Sequence, residues 1–143
     1  GILALGEAIR QCKLEMDENK TRISVLRDRL EAGIMNNLDH VSINGDPAHR
    51  TYNITNISFL NIEGESILLR LDMHGIAVST GSACSTDSLE PSYVIIALGV
   101  DPVIAHSSIR FSLGRETTEA DIDKTIKAVT ETITFLRKMS PII

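Results

Sequence analysis

The first quarter of the chain carries its hydrophobic residues in a helical pattern. Between residues 2 and 30 these positions recur in steps of three and four, which places them on one face of a helix. They are Ile2, Leu5, Ile9, Cys12, Met16, Ile23, Leu26 and Leu30. Gly33 and the pair Asn36-Asn37 are typical of a helix end. The pattern therefore predicts one long helix within residues 1–38, of the kind that connects two bodies.

The rest of the chain alternates between short strand and helix patterns. Strands are predicted at 40–44, 53–60, 76–79 and 107–113, and helices at 63–74, from Pro91 to Gly99, and after a capping box at 118–121. In the last strand Ile109, Phe111 and Leu113 face one way and Arg110 faces the other. This order predicts that residues 39–143 form a small α+β domain, with helices packed on one face of a mostly antiparallel sheet.

The composition is that of a soluble domain with a core of its own. The chain has 143 residues, of which 43% are hydrophobic and 23% charged. No apolar run approaches the ~18 residues of a membrane span. A net charge of −5, without a cluster of Lys and Arg, argues against nucleic-acid binding, as do aromatic residues at only 3%. We therefore expect neither a nucleic acid nor a membrane as partner.

The terminus and the two cysteines indicate a cellular context. The chain opens inside the helical pattern, with no initiating Met and no signal peptide, so we expect a fragment of a longer protein. Cys12 lies on the apolar stripe of the first helix, where a buried thiol is expected, whereas Cys84 lies in a polar loop. Nothing marks the two as a disulfide, which favours the cytoplasm.

Cys84 has an unusual setting. Residues 79–88, STGSACSTDS, surround it with small and hydroxylated side chains and with no bulky apolar neighbour. A thiol in such a loop is accessible, which is one of the two conditions for nucleophilic sulfur; a lowered pKa is the other. From these residues alone, a reactive thiol and an exposed inert thiol both remain open.

Four motifs together resemble one enzyme family. STGSACS at 79–85, followed by SLEPSYV at 88–94, resembles the active-site loop of the cysteine desulfurases, in the NifS/IscS-like branch with the longer cysteine loop. HSSIRFSLGR at 106–115 is similar to a second motif of that family. NIEGES at 61–66 and NGD at 44–46 are similar to two weaker ones, in the same order. The resemblance covers nearly the whole chain.

The resemblance implies a fold, a reaction and two site residues. These enzymes have the fold type I architecture of class V aminotransferases, with a large cofactor domain and a small carboxy-terminal domain, which this chain matches. They convert L-cysteine to L-alanine and capture the sulfur as a persulfide on a loop cysteine, which corresponds to Cys84. Arg110 corresponds to the arginine that holds the substrate carboxylate. The complete enzyme is expected to be a homodimer that passes sulfur to an iron–sulfur scaffold or another acceptor protein.

The family's cofactor lysine has no counterpart in this chain. Pyridoxal 5′-phosphate is held by a lysine in a His-Lys motif of the large domain, and the sequence contains no His-Lys pair. The cofactor is therefore expected on the absent large domain, and this chain alone is expected to be inactive. We also expect the family's carboxy-terminal extension, which docks the scaffold, to be absent after Pro141-Ile142-Ile143, so scaffold docking at that end is not expected.

Simpler interpretations stand beside these assignments. Arg110 is also what an ordinary solvent-facing strand arginine looks like, and Arg115 is expected to pair locally or to cap a helix. His106 and Ser82 are candidate accessory residues, although a loop histidine bonded to the backbone and a serine that serves the loop's conformation explain them equally. The histidines and cysteines show no metal-ligand spacing. The alternative function is a stand-alone sulfur-carrier or binding module derived from such an enzyme.

Overall fold

The elements follow the predicted order, with one additional helix. The computed structural model describes residues 1–80 and 91–139, to which every structural statement below refers. In chain order the elements are α1 (Ile2–Asn37), β1 (Val41–Ile43), β2 (Ile54–Phe59), α2 (Gly64–Met73), β3 (Ser79–Thr80), α3 (Tyr93–Ala97), α4 (Pro102–Ala105), β4 (Ser108–Ser112) and α5 (Glu119–Met139). None of the helices in these ranges combines the length and the apolar character that a bilayer crossing requires. The predicted α+β class is confirmed.

The four strands form one sheet in the order β1-β2-β4-β3, and every neighbouring pair is antiparallel. Because side chains alternate along a strand, Ile57 and Phe59 of β2 share one face with Ile109 and Phe111 of β4. These four side chains are buried in a core that α1, α2 and α5 complete. The opposite face of the sheet carries mostly polar side chains. The sheet thus has an apolar face under three helices and a polar face on its other side.

Only the second half of α1 belongs to this core. Its buried apolar residues are Ile23, Leu26, Leu30 and Ile34, and they pack beside α5, β1 and β2. Ile2 is 89% exposed, Ile9 is also exposed, and so is Cys12. The prediction that Cys12 is buried is therefore wrong for this chain. The physical reason is that the apolar stripe of α1 continues beyond the sheet and α5, so its first half has no described residue to pack against.

Two local signals place the helix ends as predicted. Thr118 and Asp121 form a reciprocal capping box, in which the Thr118 N–H donates to Asp121 Oδ2 (2.9 Å) and the Asp121 N–H donates to Thr118 Oγ1 (3.2 Å). Hydrogen bonds from Thr118 hold the pKa of the Asp121 carboxyl below its ordinary value. Gly75 follows α2 with φ +70°, a conformation that favours glycine after a helix.

The polar side of the sheet differs from the prediction in two ways. Helix α4 was not predicted, although Asp101 caps it by accepting from the Val103 N–H (2.8 Å) and Pro102 starts it. The strand predicted at 76–79 is observed as the two-residue strand β3, in which only Ser79 and Thr80 pair in the sheet. Ser108, on the same face as Arg110, is only 1% exposed, so this face is not fully open to solvent.

The connection from β1 to β2 is tied to α1 by charge. The Arg50 guanidinium donates to both carboxylate oxygens of Glu31, at 2.5 and 3.0 Å, and both side chains are largely buried. The Glu31 carboxylate holds the pKa of Arg50 above its ordinary value. Arg27 adds a hydrogen bond to the Thr51 carbonyl (3.0 Å). These contacts fix the segment that leads into β2, and with it the side chains that β2 presents.

Candidate functional site

Arg110 lies in the middle of β4, on the polar face of the sheet, and its side chain is exposed. Two residues lie directly opposite it in the register: Asn56 of β2 on one side and Ser79 of β3 on the other. Side chains of directly opposite residues project from the same face, with Cβ atoms ~4.5–5.5 Å apart. The sheet therefore places Arg110 between a carboxamide and a hydroxyl, an arrangement that local sequence does not reveal.

Asn44 extends this row on the far side of Asn56. It follows β1, and its N–H donates to the Asn56 carbonyl (2.8 Å), which continues the β1–β2 pairing. Its side-chain Nδ2 donates to Asn56 Oδ1 (2.6 Å) and to Ser58 Oγ (2.8 Å). We call Asn44, Asn56, Arg110 and Ser79 the polar row. It runs from the end of β1 across β2 and β4 to β3.

Arg110 differs from the other eight arginines of the chain. Arg10, Arg27, Arg29, Arg50 and Arg115 form ion pairs, Arg22 and Arg137 donate to backbone carbonyls, and Arg70 stacks on Phe135. Within residues 1–80 and 91–139, Arg110 alone has neither an ion pair, nor a hydrogen-bond acceptor, nor an aromatic ring beside it. An exposed guanidinium to which the described residues offer no acceptor is a candidate site for an external anion, and its fork of N–H donors matches a carboxylate.

Cys84 and Ser82 lie outside the described residues, so the structure leaves both assignments untested. What it does place is the point where their segment begins. Ser79 pairs with Arg110 and Thr80 with Ile109, so the chain enters residues 81–90 directly beside the candidate carboxylate site. It resumes at residue 91 and continues into α3.

His106 is not part of the polar row. It follows α4 as an exposed residue, two positions before β4, and its backbone carbonyl accepts from the Gly64 N–H (3.0 Å). Among the described residues its ring has no hydrogen-bond partner. Its accessory role stays a prediction. Arg115 pairs with Glu116 at 3.0 Å and with Glu15 at 3.6 Å, so its predicted local pairing is confirmed.

Gly64 explains one of the weaker motifs, NIEGES, in structural terms. A Cβ at this position would lie 2.9 Å from the His106 carbonyl oxygen and 3.3 Å from that of Ser108. Both neighbours are backbone atoms that cannot rotate away, so a larger residue would push α2 off the start of β4. The glycine thus allows the close packing that positions the strand carrying Arg110.

The lysines of the chain do not fit a pyridoxal phosphate site. All five lie on the surfaces of α1 and α5, and all are exposed: Lys13, Lys20, Lys124, Lys127 and Lys138. Those two helices pack on the apolar face of the sheet, whereas Arg110 projects from the polar face. This chain therefore has no enclosed lysine for the cofactor. The described part of the chain also contains no group of three His, Cys, Asp or Glu side chains that would hold a metal ion.

Asn44 and Asn56 were not recognised as site residues from the sequence. Asn44 belongs to the NGD motif, which carried no assigned role, and Asn56 occupies an outward position of a predicted strand. The alternation of polar and apolar residues along β2 predicts which of its side chains lie on the face of the polar row and which lie in the core. The strand register, which brings Asn56 opposite Arg110, depends on the three-dimensional pairing.

Comparisons with known proteins agree on one family. The model of the family described as aminotransferase class-V matches residues 1–125. The chain is 52% identical over 141 residues to a cysteine desulfurase IscS from Pectobacterium atrosepticum. The aligned region covers 99% of this chain and 34% of that protein. It is 46% identical over 141 residues to a mitochondrial cysteine desulfurase from Saccharomyces cerevisiae, with 99% and 28% covered.

Solved structures agree with these relatives. A NifS-like protein superposes with a TM-score of 0.83 at 31% identity, covering 95% of this chain and 34% of that one. A NifS-like protein from Rickettsia africae gives 0.72 at 31% identity, covering 84% and 30%. The chain spans about a third of the length of the curated relatives it matches. Since the family model matches residues 1–125, this chain belongs to the class-V aminotransferase family.

Proposed function

We propose that the complete protein is a pyridoxal-phosphate-dependent cysteine desulfurase and that this chain supplies its carboxylate-binding arginine and its sulfur-accepting cysteine. The observation that carries the proposal is the position of Arg110. It is the one arginine of the described chain without a partner, and it lies opposite the strand residues from which the Cys84 segment departs. The candidate anion site and the start of the segment that carries the proposed sulfur acceptor are thereby neighbours in the sheet.

Arg110 binds the α-carboxylate of L-cysteine in this proposal. Two N–H groups of the guanidinium donate to the two carboxylate oxygens, and each charge-assisted hydrogen bond contributes about 1.5–3 kcal/mol. The arginine lies on a strand that is paired on both sides, so its backbone has one fixed position. A fixed arginine holds the substrate in one orientation, which sets where the substrate sulfur lies.

Cys84 accepts the sulfur. It follows Ser79 by five residues, and five residues span at most about 17 Å, so the thiol is tethered within reach of a substrate bound at Arg110. The thiolate attacks the sulfur of the bound cysteine: an S–S bond forms and the Cβ–S bond breaks. The electron pair of the broken bond goes to Cβ, which takes up the proton that the substrate thiol carried. The products are L-alanine and a persulfide on Cys84, so the atoms and electrons balance without an outside oxidant.

Pyridoxal phosphate supplies the electron sink for this C–S cleavage in the complete enzyme. Since the five lysines of this chain do not fit the cofactor, we assign its binding to a large domain outside these residues. Residues 1–38 connect to that domain and residues 39–143 form the small domain. The exposed apolar first half of α1 supports this division, because such a stripe is typical of a helix with a further packing partner.

The proposal includes what becomes of the sulfur. A persulfide donates its outer sulfur to a second protein whose nucleophile attacks that sulfur. The partner is therefore an iron–sulfur scaffold or another sulfur-acceptor protein. The complete enzyme is proposed to act as a homodimer. The cytoplasm stays the predicted compartment, although one relative's name places that protein in mitochondria.

Turnover by the complete protein tests the proposal. Purified with pyridoxal phosphate and given L-cysteine and a dithiol reductant, it is expected to release alanine and sulfide in a ratio of about one to one. The 143-residue chain alone, treated in the same way, is expected to release neither, because it has no cofactor lysine. If the cofactor-loaded complete protein also released neither, the desulfurase proposal would fail and the carrier-module alternative would stand.

A further inference from the structure

We propose that Asn56 is a second donor to the substrate carboxylate, beside Arg110, and that Asn44 sets the orientation of the Asn56 carboxamide. This inference rests on the proposed function, since it assumes that Arg110 binds a carboxylate. It adds two residues to the site for which the motifs provided no role. It follows from the order of side chains across the sheet and from the direction of their hydrogen bonds.

The two sides of Asn56 face different neighbours. Asn44 lies on its β1 side and Arg110 on its β4 side. The carboxamide oxygen of Asn56 accepts from Asn44 Nδ2 at 2.6 Å. Because the oxygen is held on the β1 side, the NH₂ group is the end of the carboxamide that remains for the Arg110 side.

Asn44 is itself bonded to two acceptors. Its Nδ2 has two hydrogens, and they go to Asn56 Oδ1 and to Ser58 Oγ, which is 0% exposed. Reversing the Asn44 amide alone would bring its oxygen against the Asn56 oxygen with no hydrogen between them, so the two carboxamides are coupled in orientation. The backbone bond from the Asn44 N–H to the Asn56 carbonyl keeps the two side chains in register. With Asn44 Nδ2 as the donor to Asn56 Oδ1, the NH₂ group is the end of Asn56 that faces Arg110.

Two kinds of donor therefore lie side by side on the polar face. A guanidinium and a carboxamide NH₂ donate hydrogen bonds from these positions, and within residues 1–80 and 91–139 nothing accepts from Arg110. Adjacent donors attract a ligand that brings acceptors, and a positive charge selects an anionic one. A carboxylate has about four acceptor sites on two oxygens, so a guanidinium fork leaves one or two of them for the Asn56 NH₂. The ligand class is the α-carboxylate of an amino acid.

This role differs measurably from a purely structural one. A structural cross-strand amide would affect every ligand of the enzyme equally when removed, through folding or through the position of β2. Removing a hydrogen-bond donor to the carboxylate weakens only ligands that carry the carboxylate. L-Alanine and L-alaninamide form a matched pair, since they differ in replacement of the carboxylate by a neutral amide.

The experiment measures the inhibition constants of these two compounds against L-cysteine turnover by the complete, cofactor-loaded enzyme. Their ratio gives the preference for the carboxylate. Asn56→Ala is expected to lower this preference about tenfold, by weakening L-alanine and leaving L-alaninamide within twofold. Asn44→Ala is expected to lower it by a smaller factor, since it frees the carboxamide to rotate. Ser112→Ala, on the same strand and face as Arg110 but outside the polar row, is the control and is expected to change neither constant.

The outcomes distinguish the role of Asn56 from the role of Arg110. If Asn56→Ala weakens both compounds equally, or neither, while Arg110→Ala abolishes the preference, the inference about Asn56 is overturned and the role of Arg110 stands. If Arg110→Ala leaves the preference unchanged, the proposed carboxylate site itself fails. Asn56→Asp serves as a second variant of nearly equal shape. Its carboxylate beside Arg110 is expected to abolish the preference through charge repulsion with L-alanine, so a loss of folding in the alanine variant leaves the test intact.

Discussion

Replacing Cys84 with serine in the complete enzyme is expected to lower the turnover of L-cysteine by about 1,000-fold or more. The serine hydroxyl stays protonated at neutral pH and is a poor nucleophile toward sulfur, whereas a cysteine thiolate is a strong one. The carboxylate site is untouched, so the inhibition constant of L-alanine is expected to stay within twofold of the wild-type value. Steady-state release of alanine, measured beside L-alanine inhibition, separates the two effects.

Cys12→Ser is the matched control for this substitution. Both changes replace a thiol with a hydroxyl, but Cys12 is exposed on the first half of α1, away from the core. We expect wild-type turnover and at most a loss of about 1 kcal/mol in the free energy of unfolding, since the apolar stripe that carries Cys12 is proposed to pack against the large domain. A Cys84→Ser enzyme with wild-type turnover, or a Cys12→Ser enzyme without turnover, would contradict the assignment of the sulfur acceptor.

Arg110→Ala is expected to lower kcat/KM for L-cysteine about 100-fold. The substitution removes a charge and two hydrogen bonds to the carboxylate, each contributing about 1.5–3 kcal/mol, and part of the loss is recovered by water. Arg110→Lys is expected to fall between the wild type and the alanine variant, because an ammonium restores the charge without the two-pronged geometry. Initial rates over a range of L-cysteine concentrations measure kcat and KM separately.

Arg115→Ala provides the comparison for the loss of a nearby positive charge. Arg115 lies five residues after Arg110, but its guanidinium is engaged with Glu15 and Glu116. Its loss is expected to change kcat/KM by less than threefold. If both arginine variants reduced kcat/KM equally, the effect would come from net charge near the site, and a specific carboxylate contact at Arg110 would be ruled out.

The fold was readable from the sequence wherever a local signal determines structure. The helical stripe, Gly75 and the Thr118–Asp121 capping box act within a few residues of the chain, and the corresponding helix ends are confirmed. Helix α4 carries an equally local signal, Asp101 followed by Pro102, which was overlooked. The burial of Cys12 was predicted wrongly for a different reason. Periodicity identifies an apolar face of a helix, but the presence of a packing partner depends on the tertiary structure.

The candidate site divides in the same way. Arg110 and Cys84 were found through motifs, since their residue types and spacing match those of the family. The neighbours of Arg110 across the sheet could not be predicted from the sequence, because Asn56 is 54 positions away in the chain and Asn44 is 66 positions away. Only the register of β2 against β4 brings them together. That eight arginines have internal partners, and that Arg110 has none within residues 1–80 and 91–139, is likewise a property of the folded chain.

The central claim is that sulfur from L-cysteine becomes bound to Cys84, and mass spectrometry of the complete enzyme tests it most directly. After brief exposure to L-cysteine, alkylation and trypsin digestion, the two cysteines fall on separate peptides, since Lys13 follows Cys12 and several Lys and Arg residues lie between Cys12 and Cys84. We expect the Cys84 peptide to gain the mass of one sulfur atom and the Cys12 peptide to gain none. The same treatment of the Arg110→Ala enzyme is expected to give much less of the heavier peptide. An unmodified Cys84 peptide from an enzyme that releases alanine from L-cysteine would contradict the account.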